Sequence, residues 1–298
     1  MRSLPACSSL LKRPRFLLGL SLLFLAGGIC RAGGARHEAS LHQSHWGYSG
    51  SPLQCTLVHE IPAYGKALFI RSAGGGLIFS LRPRIRPPQV KEVRLTTGAP
   101  PWRHGEVKAS PWRIPVPKGH LNIDLDGRYS ARIFEQLAQG MSPTFGYIDP
   151  VNGGVEMEVV LSPVWLGPAL AEFRSCIANL LPFSYEQIRR SALLFDFGSS
   201  RLLPKARERV NQLAEFVLAD KGVRRISIEG HTDNLGRASY NYRLGRRRAE
   251  AVKSLLLAKG VAAKKIVVRS HGERRPGASN KTDAGRAQNR RVVIRLER

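Results

Sequence analysis

An acidic and a basic side chain border one polar loop in the C-terminal third of the chain. Asp233 follows "RRISIEG", a segment typical of a strand, and Arg248 comes 15 residues later, in what we expect to be the first turn of a helix. Loops at strand ends often carry binding groups, and a guanidinium can bind a carboxylate through two hydrogen bonds. A ligand with both an ammonium and a carboxylate, such as an amino acid, would therefore suit Asp233 and Arg248 together.

Neutral polar side chains extend this candidate site. Thr232 precedes the acidic residue and Asn241 lies between the two charged ones, so both could add hydrogen bonds to a ligand. On spacing alone, a surface salt bridge explains the pair as well as a ligand site does. Both interpretations stay open at this level.

The segments around the loop predict an α/β sandwich. We expect a strand over Leu193–Phe197, a helix beginning at Pro204, and a second helix over Leu244–Lys259 that ends before Gly260. The strand "RRISIEG" separates the helices, and "KKIVVRS" and "RRVVIRL" read as two further strands. The order βαβαβ–β places the helices on one face of a small sheet.

The N-terminal half of the sequence predicts mainly strands. Six short runs alternate or are rich in β-branched residues: "CTLVH", "ALFIRS", "GLIFSLRP", "KEVRLTT", "LNIDLD" and "VEMEVVLS". One helix is expected over Ser130–Gln139. The fold class is therefore α+β, with a β-rich domain over residues 38–182, either a barrel or a sandwich, followed by the α/β domain over residues 183–298.

The first 32 residues predict an export signal. Four basic residues precede Phe16–Ile29, an apolar run of 14 residues that is short for a membrane span and typical of a secretory signal peptide. An uncleaved anchor is the alternative. Removing residues 1–32, which hold five basic and no acidic side chains, lowers the net charge from +25 to +20.

The cysteines agree with export. A mature chain would keep only Cys55 and Cys176, and an oxidising compartment favours one disulfide between them. Two buried free thiols are the alternative.

The basic charge and the histidines do not indicate nucleic-acid binding or catalysis. Residues 189–298 hold 27 basic and 10 acidic side chains, yet no zinc-finger, helix-turn-helix or RNA-binding aromatic pattern accompanies them. None of the eight histidines has a metal-binding spacing such as HExxH, and no GxSxG motif occurs. His231, just before Asp233, reads more naturally as a packed histidine than as a catalytic one. We therefore expect that the protein is not an enzyme, that it does not bind nucleic acid, and that it has no cofactor or metal.

Four segments in the C-terminal third resemble the OmpA-like peptidoglycan-binding domain. They are "IEGHTDNLG", "YNYRLGRRRAEAVKSLLLAKGV", "SHGERRP" and "NRRVVIRL", and the resemblance spans about Phe195–Leu296. It implies that Asp233 and Arg248 bind the diaminopimelate of the peptidoglycan stem peptide. Gly245 stands where the family usually starts a helix with serine, a change that we expect to cost little. The remaining expected site residues are Thr232, Asn241, Leu244 and Arg291.

Segments of the N-terminal half resemble the MotY family of flagellar T-ring proteins. "HWGYSGSPLQCTLVHEIPAYGKALF" and "CIANLLPFSYEQI" carry the resemblance, which implies a disulfide between Cys55 and Cys176. It further implies a periplasmic protein that docks on the flagellar basal body at its LP ring and on a MotX-like partner, and that helps to hold the stator complex indirectly. A wall anchor with an OmpA-like domain but no motor role is the alternative.

Overall fold

The computed structural model describes residues 34–85, 90–99, 111–116, 122–149 and 154–298. The expected signal peptide, residues 1–32, lies outside these ranges. Residues 34–298 group together and contain two separate hydrophobic cores, one in each half. No helix in the described ranges is long and apolar enough to cross a membrane.

In the part of the first half that the structure describes, there are two five-stranded sheets and two helices. One sheet has the order β1-β10-β9-β6-β7 and the other β2-β3-β4-β5-β8, and all neighbours are antiparallel except β1 and β10. The elements are β1 Ala35–His37, β2 Trp46–Ser51, β3 Gln54–Ile61, β4 Gly65–Ser72, β5 Leu77–Pro83, β6 Glu92–Gly98, β7 Trp112–Pro115, β8 Ile123–Leu125, α1 Gly127–Ala138, β9 Ser142–Asp149, β10 Val155–Val160 and α2 Leu166–Ala178.

The two sheets share one core, so the first half is a sandwich rather than a closed barrel. Along β3 every second residue is buried, as the alternating sequence predicts. Phe79 of β5 stacks on Phe145 of β9, with ring centroids 5.0 Å apart, and so joins one sheet to the other. The six predicted strands are confirmed as β3, β4, β5, β6, β8 and β10, and the predicted helix is confirmed as α1.

The helix α2 is not predicted from the sequence. Gly167 and Pro168 in its first turn resemble a turn signal, although proline is tolerated there because the first amides have no intrahelical partner. Phe173 of α2 is fully buried in the first-half core. The helix also carries Cys176, which forms a disulfide with Cys55 of β3, as predicted.

The second half is a four-stranded sheet with helices on one face. The strand order is β11-β14-β12-β13, and β12 and β13 are parallel, as their connection through a helix requires. The elements are α3 Tyr185–Ile188, β11 Arg190–Leu194, α4 Pro204–Ala219, β12 Arg225–His231, α5 Ala238–Ala258, a 3₁₀ turn Ala263–Lys265, β13 Ile266–Gly272, α6 Asp283–Asn289 and β14 Arg291–Glu297.

The prediction of a strand over Leu193–Phe197 is wrong in its position, because β11 ends at Leu194. The carbonyl of Asp196 accepts a hydrogen bond from a buried arginine instead of a strand partner. Gly198 then turns the chain with a φ of 64°. This loop becomes one wall of the candidate site.

The helix α5 starts six residues before the predicted Leu244. Arg248 therefore lies in the middle of the helix, and the expectation that it lies in the first turn is wrong. Gly245 is also interior and packs against Gly230 of β12. A Cβ on Gly245 would lie 2.6 Å from Ser270 Oγ and 3.0 Å from the Gly230 carbonyl, so a serine at this position would crowd both groups. That the glycine costs little stays a prediction.

Candidate functional site

Asp233 lies two residues beyond the end of β12 and is almost completely buried. Its side chain is 4% exposed. Oδ2 accepts a hydrogen bond from Arg290 Nη1 at 3.0 Å, and Oδ1 accepts one from the backbone N–H of Leu235 at 3.3 Å. The carboxylate is thus an ion-paired acceptor that also holds its own loop in a turn.

Arg248 is fully buried, and its guanidinium joins the loop after β11 to the end of β12. Nε donates to the carbonyl of Ser199 at 2.7 Å, Nη1 to that of His231 at 2.9 Å, and Nη2 to that of Asp196 at 2.9 Å. The planar fork of arginine suits this arrangement, because it presents donors in several fixed directions. Arg248 is therefore a structural tie as well as a candidate ligand group.

The charges of Asp233, Arg248 and Arg290 interact. Burial lowers the pKa of Arg248 to about 10; the charge of Asp233 opposes this shift and that of Arg290 adds to it. Arg248 therefore remains protonated at neutral pH. A guanidinium has five N–H donors, and three of these are used, so one remains on each Nη atom. Two cations and one anion leave a local positive charge that favours a ligand carboxylate.

Thr232 and Asn241 direct their side-chain donors to the protein itself. Thr232 Oγ1 donates to the carbonyl of Asp233 at 2.8 Å. Asn241 Nδ2 donates to the carbonyl of Leu235 at 3.1 Å and to the carboxylate of Glu273 at 2.6 Å. Both residues therefore shape the loop that carries the acidic group, and Asn241 links this loop to the segment after β13.

Arg291 does not join the other predicted site residues. Its Nη1 donates to Asn289 Oδ1 at 3.4 Å, and its Nη2 to the carbonyl of Arg275 at 3.3 Å. The neighbouring Arg290 contacts Asp233 instead. Arg290 lies in the same segment, "NRRVVIRL", but was not predicted as a site residue. Periodicity cannot tell which of the two arginines faces the loop.

Apolar side chains are exposed in the segments that form the site. Phe197 is 66% exposed, Leu235 47% and Tyr240 42%, whereas the predicted site residue Leu244 is buried. Apolar groups beside a buried ion pair would suit a ligand that has an aliphatic chain between its charged ends.

Two cavities of the first half lie away from the candidate site. Two open cavities of about 580 and 500 Å³ border β6 and β9 and are lined in part by Arg94, Gly146 and Glu156. No predicted ligand-binding residue lines either of them. These two cavities therefore do not locate the candidate site, which is defined by its buried charges.

Both halves of the chain match known families. Residues 37–182 match the MotY N-terminal domain, and residues 194–290 match the OmpA family.

One relative matches almost the entire chain. It is the sodium-type flagellar protein MotY of Vibrio parahaemolyticus, which is 32% identical over 285 residues, covering 94% of this chain and 96% of that protein. Other relatives match about a third of this chain. The outer-membrane lipoprotein YfiB of Pseudomonas aeruginosa is 42% identical over 35% of this chain and 61% of its own length, and the peptidoglycan-associated lipoprotein of Legionella pneumophila is 41% identical over 35% and 58%.

A solved structure gives a similar partial match. The peptidoglycan-associated lipoprotein from Burkholderia pseudomallei aligns with 36% of this chain and 89% of its own, at 32% identity and a TM-score of 0.34.

Proposed function

Because this chain belongs to the MotY family, we propose that it anchors the flagellar motor to the cell wall. In this proposal it is a non-enzymatic periplasmic protein of the T ring, exported by the signal peptide at residues 1–32. Residues 38–182 and 183–298 act as separate domains. The first docks on the basal body and the second binds peptidoglycan.

The burial of Asp233 beside Arg248 and Arg290 is the observation that carries the wall-binding part. A diaminopimelate side chain ends in an ammonium and a carboxylate on one carbon. We assign the ammonium to Asp233 and the carboxylate to the remaining N–H groups of Arg248, with Arg290 close enough to add attraction. Since Arg248 is fully covered, the ligand reaches it only when the loop at residues 196–199 moves.

The match of residues 37–182 to the MotY N-terminal domain supports the motor part. We assign this domain the contacts to the LP ring and to a MotX-like partner, so that stator units are held indirectly. A stator needs a fixed reaction point to produce torque, and the wall is a stiff structure within reach. A wall anchor without a motor role would not explain why residues 37–182 match the MotY N-terminal domain.

Cosedimentation with purified peptidoglycan tests the wall-binding site. Asp233→Asn preserves the size of the side chain but removes its charge, and the loss of a charge-assisted hydrogen bond of about 1.5–3 kcal/mol weakens binding by about tenfold or more. Arg243→Ala is the matched control, because Arg243 is exposed on α5. Circular dichroism establishes that each variant is folded. If Asp233→Asn sediments like the wild type, Asp233 is not a binding residue.

Deletion of the gene in its host tests the motor role. We expect cells that assemble flagella but do not swim, and swimming restored by the wild-type chain. Normal swimming of the deletion strain would contradict the motor role and favour the generic wall anchor.

A further inference from the structure

The parallel strands β12 and β13 bring three metal-binding side chains together on the sheet face opposite α5. Gly230 faces the helix, so Glu229 and His231 on either side of it point away from the helix. His271 of β13 joins them, and the ligand atoms of the three residues all lie within 4.8 Å of one another. Forty residues separate the two histidines, which is why no sequence motif predicts the cluster.

Two ring nitrogens of this cluster are buried without a hydrogen-bond partner. His231 is 3% exposed and its Nδ1 has no partner. The side chain of His271 is 16% exposed, but its Nε2 atom is buried and also has no partner. The nearest carboxylate oxygen, Glu229 Oε2, lies 3.7 Å from His271 Nε2, which is too far for a hydrogen bond. Buried polar groups are mostly satisfied, so two unpartnered nitrogens in one cluster favour a ligand at this place.

We propose that Glu229, His231 and His271 bind one divalent transition metal ion, Zn²⁺ in the first instance. Zinc binds imidazole nitrogen at about 2.0–2.1 Å and carboxylate oxygen at about 2.0–2.2 Å, so tetrahedral ligand atoms lie roughly 3.4 Å apart. The pair at 3.7 Å is close to that spacing, and the remaining ligand atoms need to shift by about 1 Å. Two histidines and one glutamate leave the fourth position to water or to another ligand.

The surroundings supply the outer contacts that a metal site needs. Arg295 Nη1 donates to Glu229 Oε2 at 2.8 Å and orients the carboxylate. The backbone of Arg275 forms a hydrogen bond with the ring of His231. Metal-binding histidines commonly donate their second nitrogen to a carbonyl in this way.

The positive charges of four nearby arginines oppose a cation and limit its affinity: Arg269, Arg275, Arg291 and Arg295. Cys55 and Cys176 do not compete, because they are joined in a disulfide.

A metal here would stiffen the candidate ligand site without being part of it. The carbonyl of His231 accepts a hydrogen bond from Arg248, and Asp233 follows two residues later. An ion held by the His231 ring would fix the strand end from which these groups project. The metal site does not depend on wall binding, so either proposal can fail alone.

Calorimetric titration with ZnCl₂ tests the site, using untagged mature protein first treated with a chelator and dialysed. We expect one Zn²⁺ per chain and a higher melting temperature with zinc. His271→Ala and Glu229→Gln should each weaken binding by at least about tenfold, since even outer-contact losses cost 10–100-fold. His42→Ala is the matched control, because His42 is exposed in the first half and should leave zinc binding unchanged.

Two results would overturn the proposal. The first is a wild-type chain that binds no zinc below millimolar concentration. The second is zinc binding of equal strength in His271→Ala and the wild type, which would place the ion elsewhere. Cobalt provides an independent reading, because the visible absorption of tetrahedral Co²⁺ should appear in the wild type and be lost in both variants.

Discussion

Replacing Arg248 by alanine should weaken the fold as well as the ligand site. The change removes this donor from the carbonyls of Ser199 and His231, whereas the carbonyl of Asp196 still accepts a hydrogen bond from the backbone N–H of Ser199 at 3.2 Å. An unsatisfied buried group costs about 1–3 kcal/mol, which bounds the loss at about 2–6 kcal/mol for two carbonyls. Water that enters the vacated space reduces this, so we expect a loss of about 3–5 kcal/mol, as for removal of one partner from a buried ion pair.

Calorimetry on the mature, disulfide-bonded chain measures this loss. For a chain of this size, 1 kcal/mol corresponds to about 2–4 °C, so the melting temperature of the transition that includes α5 should fall by roughly 10 °C. Arg243→Ala removes the same charge from an exposed position on the same helix. It should shift the melting temperature by no more than about 2 °C.

A small effect would refute this reasoning. If Arg248→Ala melts within about 2 °C of the wild type, the carbonyls of Ser199 and His231 have other donors and Arg248 is not a structural tie. If the large shift is found, loss of wall binding in Arg248→Ala cannot be assigned to the ligand contact. The conservative change at Asp233 is then the sharper test of the site.

Three further predictions concern packing, the disulfide and pH. Gly245→Ala should destabilise the second half by about 1–3 kcal/mol in urea unfolding, because the new methyl group presses on Gly230; an unchanged midpoint would contradict this. Reduction of the Cys55–Cys176 disulfide should cost about 2–5 kcal/mol, and an unchanged melting temperature in strong reductant would show that the bridge does not stabilise the chain. Burial lowers the pKa of His59, so in acid the unfolded chain binds a proton that the folded chain does not. As the pH decreases from about 6.5, the free energy of unfolding should therefore decrease, by up to about 1.4 kcal/mol per pH unit. The variant His59→Phe should show a flatter pH profile, and an identical slope would contradict this origin.

The pattern of apolar, glycine and proline residues along the sequence predicted the strands and helices that form by local preference. The alternating runs became strands, and the helix α4 begins at Pro204, where proline has no amide to lose. The strands and helices depend on neighbours in sequence, which a single chain displays directly. The disulfide joins cysteines 121 positions apart and followed instead from composition and resemblance.

Other features depend on residues far apart in sequence. Asn241 and Gly245 are poor helix formers, so propensity placed the start of α5 too late. Tertiary contacts prevail there, because Asn241 bonds to Glu273 and Gly245 allows the helix to approach Gly230. The pairing of Arg290 with Asp233 could not be predicted for the same reason. That Asp233 and Arg248 bind ligand remains a prediction.

Cosedimentation with purified peptidoglycan in the presence of free diaminopimelate is the most direct test of ligand binding by Asp233 and Arg248. We expect the mature chain to sediment with the wall and free diaminopimelate to release it at constant ionic strength. Release by salt but not by diaminopimelate would contradict the claim, because the net charge of +20 would then hold the chain to the wall without the site formed by Asp233 and Arg248.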